Sequence, residues 1–175
     1  ERLEEEAQKE YPEKLRYVIR DLAVKEGAFA YEYTGYLANI HSVQSYYQAN
    51  IDMLESKKFY SLFSPNQKIY TKVKNEEPTY YANTSKVSTS QFASGSIIEG
   101  EVVQSVLSRN IYIHKDSVVK NSVLFPRVVI GQGARVEYAI LDKGVEVADG
   151  VVIRGTAEHP VVVKKGETVT EDIYS

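Results

Sequence analysis

Three histidines are the side chains of this chain best suited to acid–base or metal chemistry. His41, His114 and His159 lie far apart in the sequence, and the 175 residues contain no cysteine. Zinc signatures keep their ligands close together, so this spacing does not indicate a metal site. A single histidine can still act as a general base. His114 alone lies in a repeated segment, where Gly131 and Ala148 take its place in later repeats, so we interpret it as a corner residue.

The segment that carries His114 repeats with a period of 17 residues. The sequences QSVLS (104–108), NSVLF (121–125) and YAILD (138–142) occupy the same place in successive repeats. Self-similarity at a short, fixed period indicates a solenoid. Within each repeat, aliphatic residues recur at steps of six, six and five: Val102, Leu107, Ile113, Val119, Leu124, Ile130, Val136, Leu141, Val147 and Ile153.

These steps are too long for one helix face and for one half-buried strand. They predict three short strands per coil, each directing its aliphatic anchor into a triangular prism, with coils stacked about 4.8 Å apart. The small residues Ser105, Ser122 and Ala139 precede the leucines by two places, where we expect a corner with little room. We expect Gly131, Gly133 and Gly150 at other corners, with positive φ.

Composition divides the chain into two parts and excludes several classes of protein. Eleven of the fourteen tyrosines precede residue 82. The net charge of −3, without a basic patch, gives no indication of nucleic-acid binding. There is no signal peptide or long apolar run, so we expect a cytoplasmic location and no membrane contact. The chain begins at Glu1 without methionine, and we expect it to be part of a longer protein.

The N-terminal part reads as short helices with one strand. We predict a helix over 1–24, a strand and turn over 29–40, a helix capped by Ser42 and running to about Leu54, and a helix over 56–63. IYTKV (69–73) is strand-like, and the first clear coil lies near Ile97. The predicted domains are 1–63, then a connector and entry to the solenoid over 64–96, then the solenoid over 97–175.

Two stretches carry a family resemblance: EYTGYLANIHSVQSYYQANIDML (32–54) and SIIEGEVVQSVLSRNIYIHKDSVV (96–119). The chain resembles the C-terminal part of the glucose-1-phosphate adenylyltransferase (ADP-glucose pyrophosphorylase) family, most of all its GlgD-type subunits of glycogen biosynthesis. The resemblance extends through NQKIYTKVKNEEPTYY (66–81) and so covers nearly the whole chain. It implies a mainly β fold, a left-handed parallel β-helix preceded by a small α+β remnant of an α/β nucleotidyltransferase domain. The family joins ATP and glucose 1-phosphate, with Mg²⁺, to give ADP-glucose and pyrophosphate.

The chain departs from catalytic members of that family in two ways. Their glycine-rich nucleotide loop is missing here. Their Tyr-Trp-Arg-Asp-hydrophobic-Gly-Thr segment, whose Asp helps to hold the metal, corresponds to YLANIHS (36–42). Asn39 therefore replaces a carboxylate, and Mg²⁺ prefers charged oxygen ligands. By resemblance, Glu32, Tyr36 and Asn39 are remnants of a substrate site. We expect no catalytic residue, metal or cofactor in this chain, which we predict to be inactive alone, and Mg²⁺ with ATP in the full-length family.

The resemblance implies a regulatory or oligomerisation role beside a catalytic paralogue, together with self-association. It also implies sugar-phosphate or nucleotide ligands in the full-length protein, and Arg127, Arg154, Lys164 and Lys165 are speculative effector-binding residues. The alternative is a hexapeptide-repeat acyltransferase that uses coenzyme A, with His114 as general base. Such enzymes usually carry a long loop within a coil, whereas the spacing from 102 to 153 is unbroken. A scaffold without any ligand is a third hypothesis.

Overall fold

The computed structural model describes residues 4–5, 8–9, 14–29, 31–64, 68–70 and 74–175. The chain divides into two compact units, Glu1–Thr34 and Gly35–Ser175. Each unit is described by itself below.

The first unit contains helix α1, Leu15–Glu26. The helix ends at Gly27, which adopts the left-handed conformation (φ 73°) and donates its N–H to the carbonyl of Ala23. Val18 is buried, whereas Leu15 and Ile19 are more than half exposed. The helix predicted over 1–24 is thus confirmed from Leu15 onward. Most of residues 1–13 lie outside the described residues.

The strand predicted over 29–40 is wrong for the residues that the structure describes there. Residues 28–29 and 31–40 lie in neither helix nor strand. A strand requires a hydrogen-bonded neighbour, and the strand pairings among the described residues all lie between Tyr80 and Tyr174. The tyrosine-rich composition of this segment suits a strand, but no sheet edge is paired with it.

The second unit opens with helices α2, Val43–Asp52, and α3, Ser56–Leu62. Ser42 caps α2 as predicted. Its Oγ accepts the N–H of Ser45 at 3.1 Å, and the Oγ of Ser45 accepts the N–H of Ser42 at 2.9 Å. This reciprocal pair satisfies two N–H groups that the helix leaves without an internal partner. Of the strand-like segment 69–73, residues 71–73 lie outside the described residues, and 69–70 are not in a strand.

The rest of the unit is a parallel β-solenoid of hexapeptide repeats, as the spacing predicted. The strands that the structure describes are β1 Tyr80–Tyr81, β2 Lys86–Ser88, β3 Gln91–Phe92, β4 Ile97–Ile98, β5 Glu101–Val103, β6 Val106–Leu107, β7 Tyr112–Ile113, β8 Val118–Lys120, β9 Val123–Leu124, β10 Val129–Ile130, β11 Arg135–Glu137, β12 Ala139–Leu141, β13 Glu146–Val147, β14 Val152–Arg154, β15 Val161–Val163, β16 Thr168–Val169 and β17 Ile173–Tyr174. They form three walls. The first wall is β1-β4-β7-β10-β13-β16, the second β2-β5-β8-β11-β14-β17 and the third β3-β6-β9-β12-β15.

The aliphatic anchors fill the interior of this solenoid. All ten predicted anchors are at most 3% exposed. Each lies directly above its equivalent in the previous coil; Leu107, Leu124 and Leu141, for example, pair in register along the third wall. Burying branched aliphatic side chains is the main favourable term in folding, at about 25 cal/mol per Å² of apolar surface. The repeat is therefore a packing requirement.

The solenoid extends beyond the range over which the period is regular. Strand β1 pairs with β4 (Tyr80 with Ile97), so a complete coil precedes the one that we expected to be the first clear coil. In this coil Val87 and Phe92 stand 15 residues before Val102 and Leu107. At the other end, Ala139 pairs with Val161, 22 residues later. A shortened coil and an insertion hide the repeat at both ends.

Corners of the solenoid are made by left-handed residues, most of which are not glycine. Gln104 (φ 46°), Asn121 (φ 47°) and Tyr138 (φ 51°) precede Ser105, Ser122 and Ala139. Those three small residues are fully buried, as the predicted lack of room requires.

The prediction for glycine corners holds at two of the three positions. Gly133 (φ 69°) and Gly150 (φ 72°) are left-handed, but Gly131 is not. A Cβ at Gly131 would lie 2.6 Å from Asp149 Oδ1 and 2.7 Å from the carbonyl carbon of Ala148. Close approach of the next coil, and not its φ, explains this glycine.

Candidate functional site

The segment that resembles the substrate site of the adenylyltransferase family lies beside α2 and α3. Together they line an open groove of about 390 Å³. Leu37 and Ile40 are exposed at its edge, at 81% and 57% of their surface. Its lining is almost entirely apolar: Tyr36, Leu37, Ala38, Ile40, Ala49, Asn50, Met53 and Leu62.

A polar network fixes Tyr36 at this groove. Its hydroxyl donates to Asp52 Oδ2 at 3.0 Å, and its backbone N–H donates to Ser61 Oγ at 3.1 Å. Asp52 Oδ1 also accepts from Gln48 Nε2 and from Lys58 Nζ, each at 2.9 Å. The carboxylate of Asp52 is therefore engaged by three donors from three elements.

This network shifts the pKa values of its members. Burial alone would raise the pKa of Asp52, but the hydrogen bonds from Lys58, Gln48 and Tyr36 outweigh it and hold that pKa below its usual value. Burial and the bond to Asp52 raise the pKa of Tyr36. The hydrogen bonds to Asp52 and Glu55 raise the pKa of Lys58. Asp52 is thus ionised, and Tyr36 protonated, at neutral pH.

Asn39 and Glu32 take no part in this network in the structure. Asn39 is exposed in the second unit and is not among the groove-lining residues. Glu32 is exposed in the first unit. Among the described residues no group of three or more His, Cys, Asp and Glu side chains is placed to hold a metal ion. An exposed amide without such a group does not fit Mg²⁺, which requires several charged oxygen ligands.

The histidines are dispersed over the described part of the chain. His114 is half-buried on the first wall, with its ring stacked on that of Tyr112 at a centroid distance of 3.9 Å. His41 is exposed beside the cap of α2, where its N–H donates to Ser45 Oγ at 3.0 Å. His159 is exposed in the loop between β14 and β15. The aromatic stack at His114 agrees with its interpretation as a structural residue.

Three of the four predicted effector residues lie along one edge of the solenoid, where the third wall turns into the first. Arg127 is exposed between β9 and β10, and Lys164 and Lys165 are exposed between β15 and β16. Arg109 and Lys143 stand at equivalent corners of other coils. We name these five residues the basic edge. Its corners are joined by backbone hydrogen bonds of 3.0 Å, from Arg127 N–H to the carbonyl of Arg109 and from Gly166 N–H to that of Lys143.

Arg154 lies on the second wall, apart from the basic edge. Its Nε donates to Glu137 Oε2 at 2.9 Å, and the equivalent pair one turn earlier joins Lys120 Nζ to Glu101 Oε1 at the same distance. Sequence reasoning missed Lys143, although its position is marked, because it follows Arg109 by two periods of 17 residues. It also missed Asp52 and Lys58, for which no pattern in the sequence gives a signal.

One face of α2 rests on the third wall of the solenoid. Tyr47 is 2% exposed and packs with Val123 and Ile140. Its hydroxyl donates to the carbonyl of Asn121 at 2.7 Å. At the other end of the helix, Gln91 Nε2 donates to the carbonyl of Met53 at 2.6 Å. The groove-lining helix is thus bound to the solenoid at both ends.

Comparison with known proteins assigns the solenoid. Residues 72–171 match the family model described as GlmU-like, C-terminal hexapeptide. The chain belongs to this family. None of the helices in the described ranges is both long and apolar enough to cross a bilayer.

The similarity to named relatives extends beyond the solenoid. A protein named glycogen biosynthesis protein GlgD, from Bacillus subtilis (strain 168), is 39% identical over 136 residues, which are 78% of this chain and 40% of the relative. A glucose-1-phosphate adenylyltransferase of Bacillus cytotoxicus is 34% identical over 153 residues, 86% of this chain and 41% of the relative. One of Bacillus mycoides is 35% identical over 138 residues, 78% of this chain and 37% of the relative. The resemblance drawn from 32–54 and 96–119 is confirmed. The chain spans about two fifths of the length of these relatives.

Proposed function

We propose that this chain is the C-terminal part of a GlgD-type subunit of glycogen biosynthesis, with a regulatory or oligomerisation role and without catalysis of its own. Its partner would be a catalytic glucose-1-phosphate adenylyltransferase subunit, and its location the cytoplasm. The observation that carries the proposal is the exposed amide of Asn39 at the place of a metal-binding carboxylate, in a chain 39% identical to a protein named GlgD.

The chemistry of the segment supports loss of catalysis. An amide has no net charge to stabilise a divalent cation, and transfer of a nucleotidyl group depends on neutralising phosphate charge. The neighbouring carboxylate of Asp52 already accepts hydrogen bonds from three side chains of the protein. A cation competing for Asp52 would have to break those bonds.

The basic edge supports a role in binding an anionic effector. Arg127, Lys164 and Lys165 are exposed, with Arg109 and Lys143 at neighbouring corners. Strands on successive coils are about 4.8 Å apart, so these cations form a row that suits a phosphate-bearing ligand. Arg154 remains in the proposed effector set, although its guanidinium is paired with Glu137 on another wall.

A sedimentation and activity experiment tests the proposal. The purified chain is mixed with a catalytic glucose-1-phosphate adenylyltransferase subunit, and ADP-glucose formation from ATP, glucose 1-phosphate and Mg²⁺ is followed with and without each component. We expect the chain to cosediment with the catalytic subunit and to form no ADP-glucose alone. Formation of ADP-glucose by the chain alone, or failure to cosediment, would contradict the proposal.

Two further measurements extend the experiment. Acyl transfer from acetyl-coenzyme A that is lost in His114→Ala would replace the proposal by the acyltransferase alternative. Phosphate and glucose 1-phosphate are also titrated into Arg127→Gln and Arg154→Gln. We expect weaker binding in Arg127→Gln and a smaller effect in Arg154→Gln, because only the first guanidinium lies on the basic edge.

A further inference from the structure

Helix α2 contacts two parts of the second unit with two different faces. Tyr46 and Tyr47 face the third wall, where the ring of Tyr46 stacks on Phe125 at 6.3 Å. Ala49, Asn50 and Met53 line the groove together with residues 36–40. The helix is therefore the shared wall of the solenoid contact and the groove.

The contact on the solenoid side depends on one directed hydrogen bond. The carbonyl that accepts the Tyr47 hydroxyl belongs to Asn121, which is itself held in the left-handed corner conformation (φ 47°). The next residue, Ser122, is fully buried and bonded to Ser105 and Ala139 of the adjoining coils. Burial raises the pKa of Tyr47, so its hydroxyl keeps the proton that makes this bond. The acceptor is therefore fixed by the stack of coils.

The contact on the groove side also depends on a tyrosine hydroxyl. Asp52, the last residue of α2, accepts the hydroxyl of Tyr36 at 3.0 Å. A displacement of the helix would move Asp52 and would change the position of Tyr36 with it. The backbone N–H of Tyr36, bonded to Ser61 Oγ at 3.1 Å, reports such a change.

We propose that Tyr47 is a positioning residue that couples the solenoid to the groove-lining segment 36–40, acting through α2 and the Tyr36–Asp52 hydrogen bond. The element that moves is the helix, and the two hydroxyl bonds are its attachments on either side. The inference goes beyond the proposed function and does not require it, since it concerns the groove whatever ligand or partner lies there.

Amide exchange in four forms of the protein tests the coupling: the wild type, Tyr47→Phe, Tyr36→Phe and the double variant. Each substitution removes one hydroxyl and keeps the ring, so packing is retained. The readout is the exchange rate of the N–H at position 36, which is present in all four forms. Tyr174→Phe is the matched control, because its hydroxyl bonds to Asp172 at 3.0 Å on the last strand of the second wall.

We expect Tyr47→Phe to accelerate exchange at position 36 about fivefold, the effect of losing one ordinary hydrogen bond. Core amides such as those of Ile130 and Val136 should keep their rates, and Tyr174→Phe should change nothing at position 36. In the Tyr36→Phe background, Tyr47→Phe should have little further effect, because the link through Asp52 is already cut.

Three results would overturn the coupling. These are an unchanged rate at position 36, an equal acceleration of the core amides, and effects of the two substitutions that simply multiply. The first denies any influence of Tyr47 on the groove. The second reduces it to general stability, and the third makes the two hydroxyls independent. None of the three depends on whether the chain associates with an adenylyltransferase subunit.

Discussion

At the scale of single residues, the groove is organised by hydrogen bonds to one carboxylate. Asp52 receives donors from α2, α3 and the segment before them, in the persons of Gln48, Lys58 and Tyr36. Hydrogen bonds to a charged group are stronger than those between neutral groups, and they favour its ionised form. The depressed pKa of Asp52 is the expression of this arrangement.

The Asp52→Asn variant should therefore lose stability in a pH-dependent way. Because the folded-state pKa of Asp52 lies below its unfolded value, its ionised form stabilises the fold above the ordinary carboxyl pKa of about 3.9. We expect the wild type to be the more stable form from pH 7 to pH 5. The difference should shrink as the pH falls below about 4, through the depressed pKa. Urea unfolding at a series of pH values measures this difference.

Asp116→Asn is the matched control for that series. Asp116 is exposed at a solenoid corner, where its only printed side-chain contact is a 3.4 Å bond from Gln132 Nε2, so we expect a shift within about 0.5 kcal/mol. A difference between wild type and Asp52→Asn that stays constant down to pH 3 would show that the charge of Asp52 is not what stabilises the network.

At the scale of elements, one corner of the solenoid is built from a ladder of serine hydroxyls. Ser122 Oγ donates to the carbonyl of Lys120 at 2.7 Å and accepts the N–H of Ala139 from the next coil at 3.1 Å. Ser105 does the same one coil earlier, with Val103 and Ser122. The hydroxyl satisfies a buried N–H that the sharp turn removes from the strand ladder.

Ser122→Ala should consequently destabilise the solenoid although it removes a single oxygen. It leaves the N–H of Ala139 buried without its acceptor, which costs about 1–3 kcal/mol. Ser88→Ala, at an exposed position on β2, is the control and should cost less than about 0.5 kcal/mol. The free energies of unfolding come from urea titration followed by circular dichroism. Equal losses in the two variants would contradict the role of the ladder.

Sequence reasoning succeeded for features that depend on nearby residues and on the repeat. The anchors follow from their spacing, and the cap of α2 follows from Ser42. It failed where a distant partner decides. The segment 29–40 has strand-like composition but no paired neighbour, and Gly131 is required by the approach of Asp149 and Ala148. The small residues at Ser105 and Ser122 were predicted from their size, whereas their hydroxyl ladder could be seen only in three dimensions.

At the scale of the whole solenoid, each coil contacts chiefly the coils before and after it, so insertions are tolerated where they leave the stacking unchanged. The loop 156–160 is such an insertion. Before it, β11, the left-handed Tyr138 and β12 follow one another directly. After it, β14 and Gly155 are separated from β15 by five residues, and Val161 still pairs with Ala139.

Deleting residues 156–160 should therefore leave the solenoid folded. The deletion restores the 17-residue period and places Gly155 at the corner that Tyr138 occupies one coil earlier, where glycine adopts positive φ without strain. The loop contributes a bond within itself, from His159 N–H to Thr156 Oγ1, and one from Ser175 Oγ to the carbonyl of His159. Since shortening an exposed loop has a small effect on closure entropy, we expect the free energy of unfolding to change by no more than about 1 kcal/mol. The control removes 131–135, also five residues, and brings Ile130 next to Val136; it should abolish cooperative urea unfolding because two anchors can no longer occupy separate walls. If the two deletions destabilise the protein equally, the loop is part of the corner itself, and the rule that each coil depends only on its neighbours fails at this end of the solenoid.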